Sequence, residues 1–164
     1  MPLPLHLSIH FIVAILVGLL AGRYFKKMPL AIIAAVIGGF FIDLDHILEY
    51  FFYYGPHFNL SYFLEGRQFL LSNHIYLIFH AWEYIPILLL IAYFLRKRRT
   101  LAIFIFTLCL AGSVHLVSDV FINGYPPKFY SISYRASQDF STIRLISPEE
   151  YQKNIKLRAE LGIW

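Results

Sequence analysis

The sequence predicts an all-α protein: an integral membrane bundle of four transmembrane helices followed by a short extramembrane helix near the C-terminal end. Three observations lead there. Hydrophobic residues make up 59% of the 164-residue chain, and mean hydropathy is +0.61. Charged residues make up only 15%, against roughly 25% in soluble domains. The apolar residues also fall into long runs of about the length a bilayer core requires. A soluble chain of this size has too little interior to hide so much apolar surface, whereas lipid removes the need to hide it.

The first run covers about 8 to 25. It lacks a basic leading segment and a small-residue cleavage site, so it is expected to persist as a helix rather than act as a signal peptide. The second begins after Pro29, a favourable first-turn proline, and ends before Gly55-Pro56. The third spans about 74 to 95. The fourth runs from about 101 to 122 and is closed by Asn123-Gly124 and Pro126-Pro127. Residues 1–124 form the membrane domain and 125–164 the tail. In the tail Ser147-Pro148-Glu149-Glu150 supplies a serine N-cap, a proline at N1 and a glutamate at N3, which predicts a helix near 148–161.

Charge sets the orientation. The net charge of +4 would suit nucleic acid, but Arg23, Lys26 and Lys27 and the run Arg96 to Arg99 flank apolar segments. They read as topology signals, and no nucleic-acid partner is expected. The positive-inside rule puts both short basic loops in the cytoplasm of a cell (inner or plasma) membrane, with the N- and C-termini outside. Cys109 stands alone, which excludes an intrachain disulfide and a cysteine-rich metal site.

The polar residues inside the runs carry the functional signal. On straight helices rising about 1.5 Å per residue, His10, Asp45, His80 and His115 each lie about 21–22 Å from the cytoplasmic end of their run. Asp43, His46, Glu83 and Asp119 fall within roughly 6 Å of that level by the same rise. An unpaired charge in hydrocarbon costs at least about 2.5 kcal/mol, and no Lys or Arg of the runs lies at this depth. Bound cations would compensate the whole set.

Spacing agrees. His80 and Glu83 stand at i and i+3, as do Asp43 and His46, while His115 and Asp119 stand at i and i+4. The expected metal ligands are therefore His10, Asp43, Asp45, His46, His80, Glu83, His115 and Asp119. Asp45 would reach a metal or orient a ligand histidine, and Asp45 or Glu83 would serve as general base. Nitrogen and carboxylate donors without thiolate suit zinc first, with manganese or iron as alternatives. So many ligands would fill one or two ions. His6 is expected to be an interfacial histidine, and Glu49 a solvated or supporting residue. Arg67, Lys128, Arg135 and Arg144 would meet phosphate or stand as solvated charges.

The pattern resembles the membrane-bound metal-dependent hydrolases, also described as LexA-binding inner-membrane-associated hydrolases. The resemblance covers roughly residues 6 to 122. It rests on His10, on Asp43-Leu44-Asp45-His46, on His80, and on His115-Leu116-Val117-Ser118-Asp119. The third span departs from the family, lacking the arginine and glycine expected beside its histidines. The ligand set is also similar to that of zinc-dependent phospholipase C enzymes, which implies phosphoester chemistry. The expected function is metal-dependent hydrolysis, of phosphoesterase or phospholipase type, in a lipid-like substrate at the outer leaflet. The rivals are a haem-binding electron-transfer protein and a metal or proton transporter.

Overall fold

The computed structural model describes residues 3–162 and is helical throughout its regular structure, with no strand among the described residues. Helix α1 spans Leu3–Phe25 and α2 spans Met28–Gly39. A turn of 3-10 helix, Phe41–Asp43, leads into α3, Leu44–Tyr54. Short helices α4 (Leu60–Leu64) and α5 (Arg67–Leu71) follow. Next come α6 (Tyr84–Phe94) and the long α7 (Arg99–Asn123). The tail holds α8 (Ile132–Ser137), α9 (Thr142–Leu145) and α10 (Pro148–Glu160).

Three helical stretches, Leu5–Phe25, Met28–Tyr54 and Arg99–Asn123, are long and apolar enough to cross a membrane. Their packing is inverted relative to a water-soluble core. Ala14, Ala31, Ala34, Ala35 and Ala111 are buried, whereas Ile12, Leu16, Leu20, Ile33, Leu90 and Phe94 are exposed. Small residues let helix backbones approach, and large apolar ones face a solvent as apolar as themselves. The tightest approach is α2 on α7: a Cβ added at Gly38 would sit 2.2 Å from the Leu108 carbonyl oxygen. α1 packs across both, and α6 packs on α7.

Two runs depart from simple spans. The second breaks at Phe40–Asp43, where the helix narrows to 3-10 geometry. In the third, the expected helix from 74 is replaced up to Glu83 by irregular chain, and regular helix starts only at Tyr84. Pro86 is the physical reason. It cannot donate the bond an earlier helical turn would need, and its ring clashes with the carbonyl four residues before it. The helix therefore starts close to the proline, whose missing N–H falls in the first turn.

The irregular segment keeps its backbone satisfied by other parts of the protein. Glu49 accepts the Tyr76 and Leu77 N–H groups at 3.0 and 3.4 Å. Asp45 accepts Phe79 N–H at 3.0 Å, and the Tyr130 carbonyl accepts Trp82 N–H at 2.9 Å. Non-helical backbone is tolerated at membrane depth only with such protein partners.

The tail closes over this segment. Ile75 and Leu77 share a core with Leu116, Phe129, Tyr130, Leu145 and Ile146. Arg135 is fully buried and donates from Nη1 to the Phe129 carbonyl at 2.7 Å and from Nη2 to the Leu77 carbonyl at 2.8 Å. Burial pushes its guanidinium below its ordinary value, and Asp45, Glu83 and Glu49 favour the charged form. The tail thus carries a buried cation to the edge of the acidic layer, which the depth of the apolar runs could not reveal. In α10 the Ser147 hydroxyl caps the helix by accepting Glu150 N–H.

Replacing Gly38 with alanine forces α2 and α7 apart against backbone, and should cost about 1–3 kcal/mol. The thermal midpoint of the G38A protein in detergent should fall; an unchanged midpoint would show that the α2–α7 contact yields freely.

Candidate metal centre

The break in α2 and the irregular segment serve one place. Asp43, at the end of the 3-10 turn, and His80, in the irregular segment, meet His115 and Asp119 on α7. All four side chains are buried. His80 Nε2 lies 3.1 Å from His115 Nε2, 3.3 Å from Asp119 Oδ2 and 3.4 Å from Asp43 Oδ1. His115 Nε2 lies 3.3 Å from Asp119 Oδ2 and 3.6 Å from Asp43 Oδ1.

These are the separations of atoms that share an ion. Ligands at 2.0–2.1 Å from a tetrahedral zinc lie about 3.3 Å from one another. Two imidazole nitrogens meeting tip to tip suit a common cation better than a hydrogen bond, which would need one ring to donate while the other accepts.

The other oxygen of Asp119 faces α1. Its Oδ1 lies 3.1 Å from His10 Nε2 and 3.6 Å from His6 Nε2. The His10 contact is short, yet neither ring nitrogen of His10 has a hydrogen-bond partner. The short distance without donor geometry is again that of co-ligands. A third grouping places His46 Nε2 3.3 Å from Asp43 Oδ1. Both oxygens of Asp43 and Nδ1 of His46 are also without hydrogen-bond partners. Three groups could hold a metal ion: His6, His10 and Asp119; Asp43, His46 and His80; and His80, His115 and Asp119.

The distal ring nitrogens are oriented as metal-ligating histidines usually are, by a carboxylate and a carbonyl. His80 Nδ1 lies 2.8 Å from Asp45 Oδ2, and His115 Nδ1 lies 3.0 Å from the Gly39 carbonyl. Asp45 therefore orients the His80 ring and is absent from the three candidate groups found among the described residues.

Glu83 is placed elsewhere. Its carboxylate accepts the Ser131 hydroxyl at 2.6 Å and the N–H groups of Ile132 and Ser133 at 3.2 and 2.9 Å, capping α8. The i, i+3 pairing expected with His80 fails because the chain there is not helical. Burial raises the Glu83 carboxyl, and the Ser131 hydroxyl and Ser133 N–H outweigh it, lowering it to about 2.

His6 was not expected here. Its signal was available, since His6 and His10 stand at i and i+4 on one face of α1. Glu49, expected to be solvated or supporting, is buried and supports backbone. His57 and His74 are exposed.

A cavity of about 330 Å3 opens beside the cluster. His6, His46, His80 and Asp119 line it together with Gln68 and Phe69 of α5, Asn123 and Tyr130. Asn123 donates to Asp119 Oδ1 and to the Tyr130 hydroxyl, both at 3.2 Å. A second cavity, of about 520 Å3, is lined mostly by apolar residues of α2, α6 and α7. Its wall includes Leu44, Phe79 and Leu116, each adjacent in sequence to a residue of the cluster or to the Asp45 that orients it. Comparison with known protein families, curated proteins and solved structures finds no match.

Two outcomes follow. Glu83→Gln should leave bound metal unchanged while loosening the tail, read by faster hydrogen exchange at 131–137. Because folding lowers the Glu83 carboxyl from 4.5 to about 2, its contribution to stability is complete above pH 4.5 and fades as pH falls towards 2. E83Q should lack that part of the acid dependence of melting.

Proposed function

We propose that the protein is a membrane-embedded, metal-dependent hydrolase acting on a phosphoester or related bond of a lipid-like substrate at the outer leaflet. The observation that carries this reading is the convergence of buried imidazole nitrogens and carboxylate oxygens at the spacing of shared-ion ligands, with His10 and Asp43 left without hydrogen-bond partners. Asp43, His80, His115 and Asp119 would hold one divalent ion. His6, His10 and Asp119 would hold a second. The donor set suits zinc, with manganese or iron as alternatives. Bound there, such ions would supply a Lewis acid for the phosphoryl or carbonyl oxygen and a lowered pKa for water.

The chain's own groups would do the rest. Asp45 fixes the His80 ring, and the Gly39 carbonyl fixes His115. His46, half-buried on the cavity wall, would pass a proton between water and the leaving group. Both bonds to Asp45 fall on Oδ2 and hold the segment and ring of His80, and we assign proton transfer to His46 because it lines the cavity, which Asp45 and Glu83 do not. The apolar cavity along α2, α6 and α7 supports a lipid-like substrate, since an acyl chain could lie there with its polar end at the cluster.

The topology belongs to the same proposal. α6, continued by the 3-10 turn Leu95–Lys97, makes a short fourth crossing. The basic ends near Arg23–Lys27 and Arg96–Arg99 face the cytoplasm of the cell membrane, and the termini lie outside. The haem alternative is disfavoured, because axial ligands stand on opposite sides of a porphyrin while these nitrogens meet directly. A transport path is disfavoured because the acids occupy one end of the bundle.

Elemental analysis of detergent-purified protein should find zinc or another divalent metal, together with cleavage of a phospholipid or a nitrophenyl phosphodiester. Asp119→Ala should remove bound metal and activity together, and His115→Ala should lose activity with the ion of its own group, while Lys128→Ala keeps metal and activity. Asp45→Ala should weaken metal binding about 10–100-fold without removing a ligand. Equal metal content in all four variants would overturn the assignment.

A further inference from the structure

We infer that the cavity beside the cluster selects a ligand bearing an uncharged hydroxyl or amide group, which Gln68 reads. This names the headgroup chemistry of the substrate and rests on the hydrolase reading only in taking that ligand to be cleaved.

Gln68 is 1% exposed, lines the cavity, and its amide oxygen Oε1 has no hydrogen-bond partner. Burying a polar amide without a partner is unfavourable, and its position on the same cavity as His46, His80 and Asp119 supplies a use for it. A ligand that touches Gln68 also reaches the cluster. Of the other polar groups on this wall, His46 Nδ1 is likewise without a partner and belongs to the cluster, whereas Asn123 and Glu65 are engaged. Asn123 donates to Asp119 and Tyr130, and Glu65 pairs with Arg67 at 2.5 Å. Tyr62 lies under the same Arg67, 4.0 Å from ring centre to guanidinium carbon.

Charge narrows the class. Among the described residues that line the cavity there is no Lys or Arg, and the neighbouring Arg67 is paired with Glu65, so the lining itself offers no fixed cation for a second anionic group. A carboxamide offers a donor and an acceptor and carries no charge. Its complement is a group that can do both, a hydroxyl or an amide. Turning the amide end for end exchanges its two atoms and leaves that match unchanged. The anionic part of the ligand would then lie at the cluster and the neutral polar part at Gln68.

The experiment is binding, not turnover. Full-length zinc-treated protein in detergent is titrated calorimetrically with two pairs of short-chain probes. One pair is phosphatidylglycerol against phosphatidylpropanol, which lacks the headgroup hydroxyls. The other is an amide-linked single-chain phosphocholine against its ester-linked counterpart. The wild-type protein should favour the donor-bearing member of at least one pair by about tenfold or more. The pair that responds identifies a hydroxyl or an amide as the source.

Gln68→Leu, or Gln68→Met if that variant does not fold, should erase the preference with zinc content and thermal midpoint unchanged. No preference in either wild-type pair would overturn the inference, as would a preference that survives both substitutions; Gln68 would then be satisfied by water alone. Absence of metal and of cleavage, with discrimination retained, would instead overturn the hydrolase reading and leave the role of Gln68 standing.

Discussion

The two oxygens of Asp119 set the terms for the rest of the molecule. One faces His6 and His10 on α1, the other His80 and His115, and the carboxylate is almost wholly buried. A carboxylate in an apolar interior is tolerable only with compensating charge and ligands around it. Bringing α1, α7 and an irregular segment to that point requires backbones to approach closely, which explains a core of alanine and glycine under a coat of large apolar side chains. The narrowing of the chain at Phe41–Asp43 delivers Asp43 to the same place. A short 3-10 stretch inside a longer helix often marks a functional position, and here it re-aims Asp43 towards the imidazoles.

The acids divide into two kinds of work. Asp43 and Asp119 converge on the imidazoles. Asp45, Glu49 and Glu83 instead hold backbone: Asp45 and Glu49 fix the segment that carries His80, and Glu83 caps the tail helix that covers it. Arg135 completes this framework from the other side by donating to Leu77, whose φ of 40° lies in the left-handed region. The segment that presents His80 is therefore held by charged groups at several points, so that an irregular chain can place one nitrogen as accurately as a helix would.

The tail is part of the site rather than an appendage. Tyr130 packs in the core formed with the irregular segment, and its hydroxyl accepts from Asn123, which also donates to Asp119. The tail, α5 and the cluster together enclose the cavity in which Gln68 stands. The long apolar helices alone do not make its wall.

The long apolar runs, the breaks at Gly55-Pro56 and after Ile122, and the Ser147 cap were legible because each depends on neighbours within a few residues. His10, Asp43, His46, His80, His115 and Asp119 were legible as a set because ionisable groups in apolar runs need partners wherever they fall. Glu83 looked the same as Asp119 by depth, since a one-dimensional count assumes straight helices, and Pro86 breaks that assumption for the third run. His6 was read as an interfacial histidine because it sits near a helix end, and Gln68 was not singled out because an uncharged amide in a short connecting helix has no pattern of its own. The sequence by itself determined that the chain is helical, with runs long and apolar enough to cross a membrane and acids buried among histidines, because hydrophobic length and the cost of buried charge are local properties. Only the tertiary structure decided which acids face the imidazoles and which tie down backbone, because that depends on how distant segments turn towards one another.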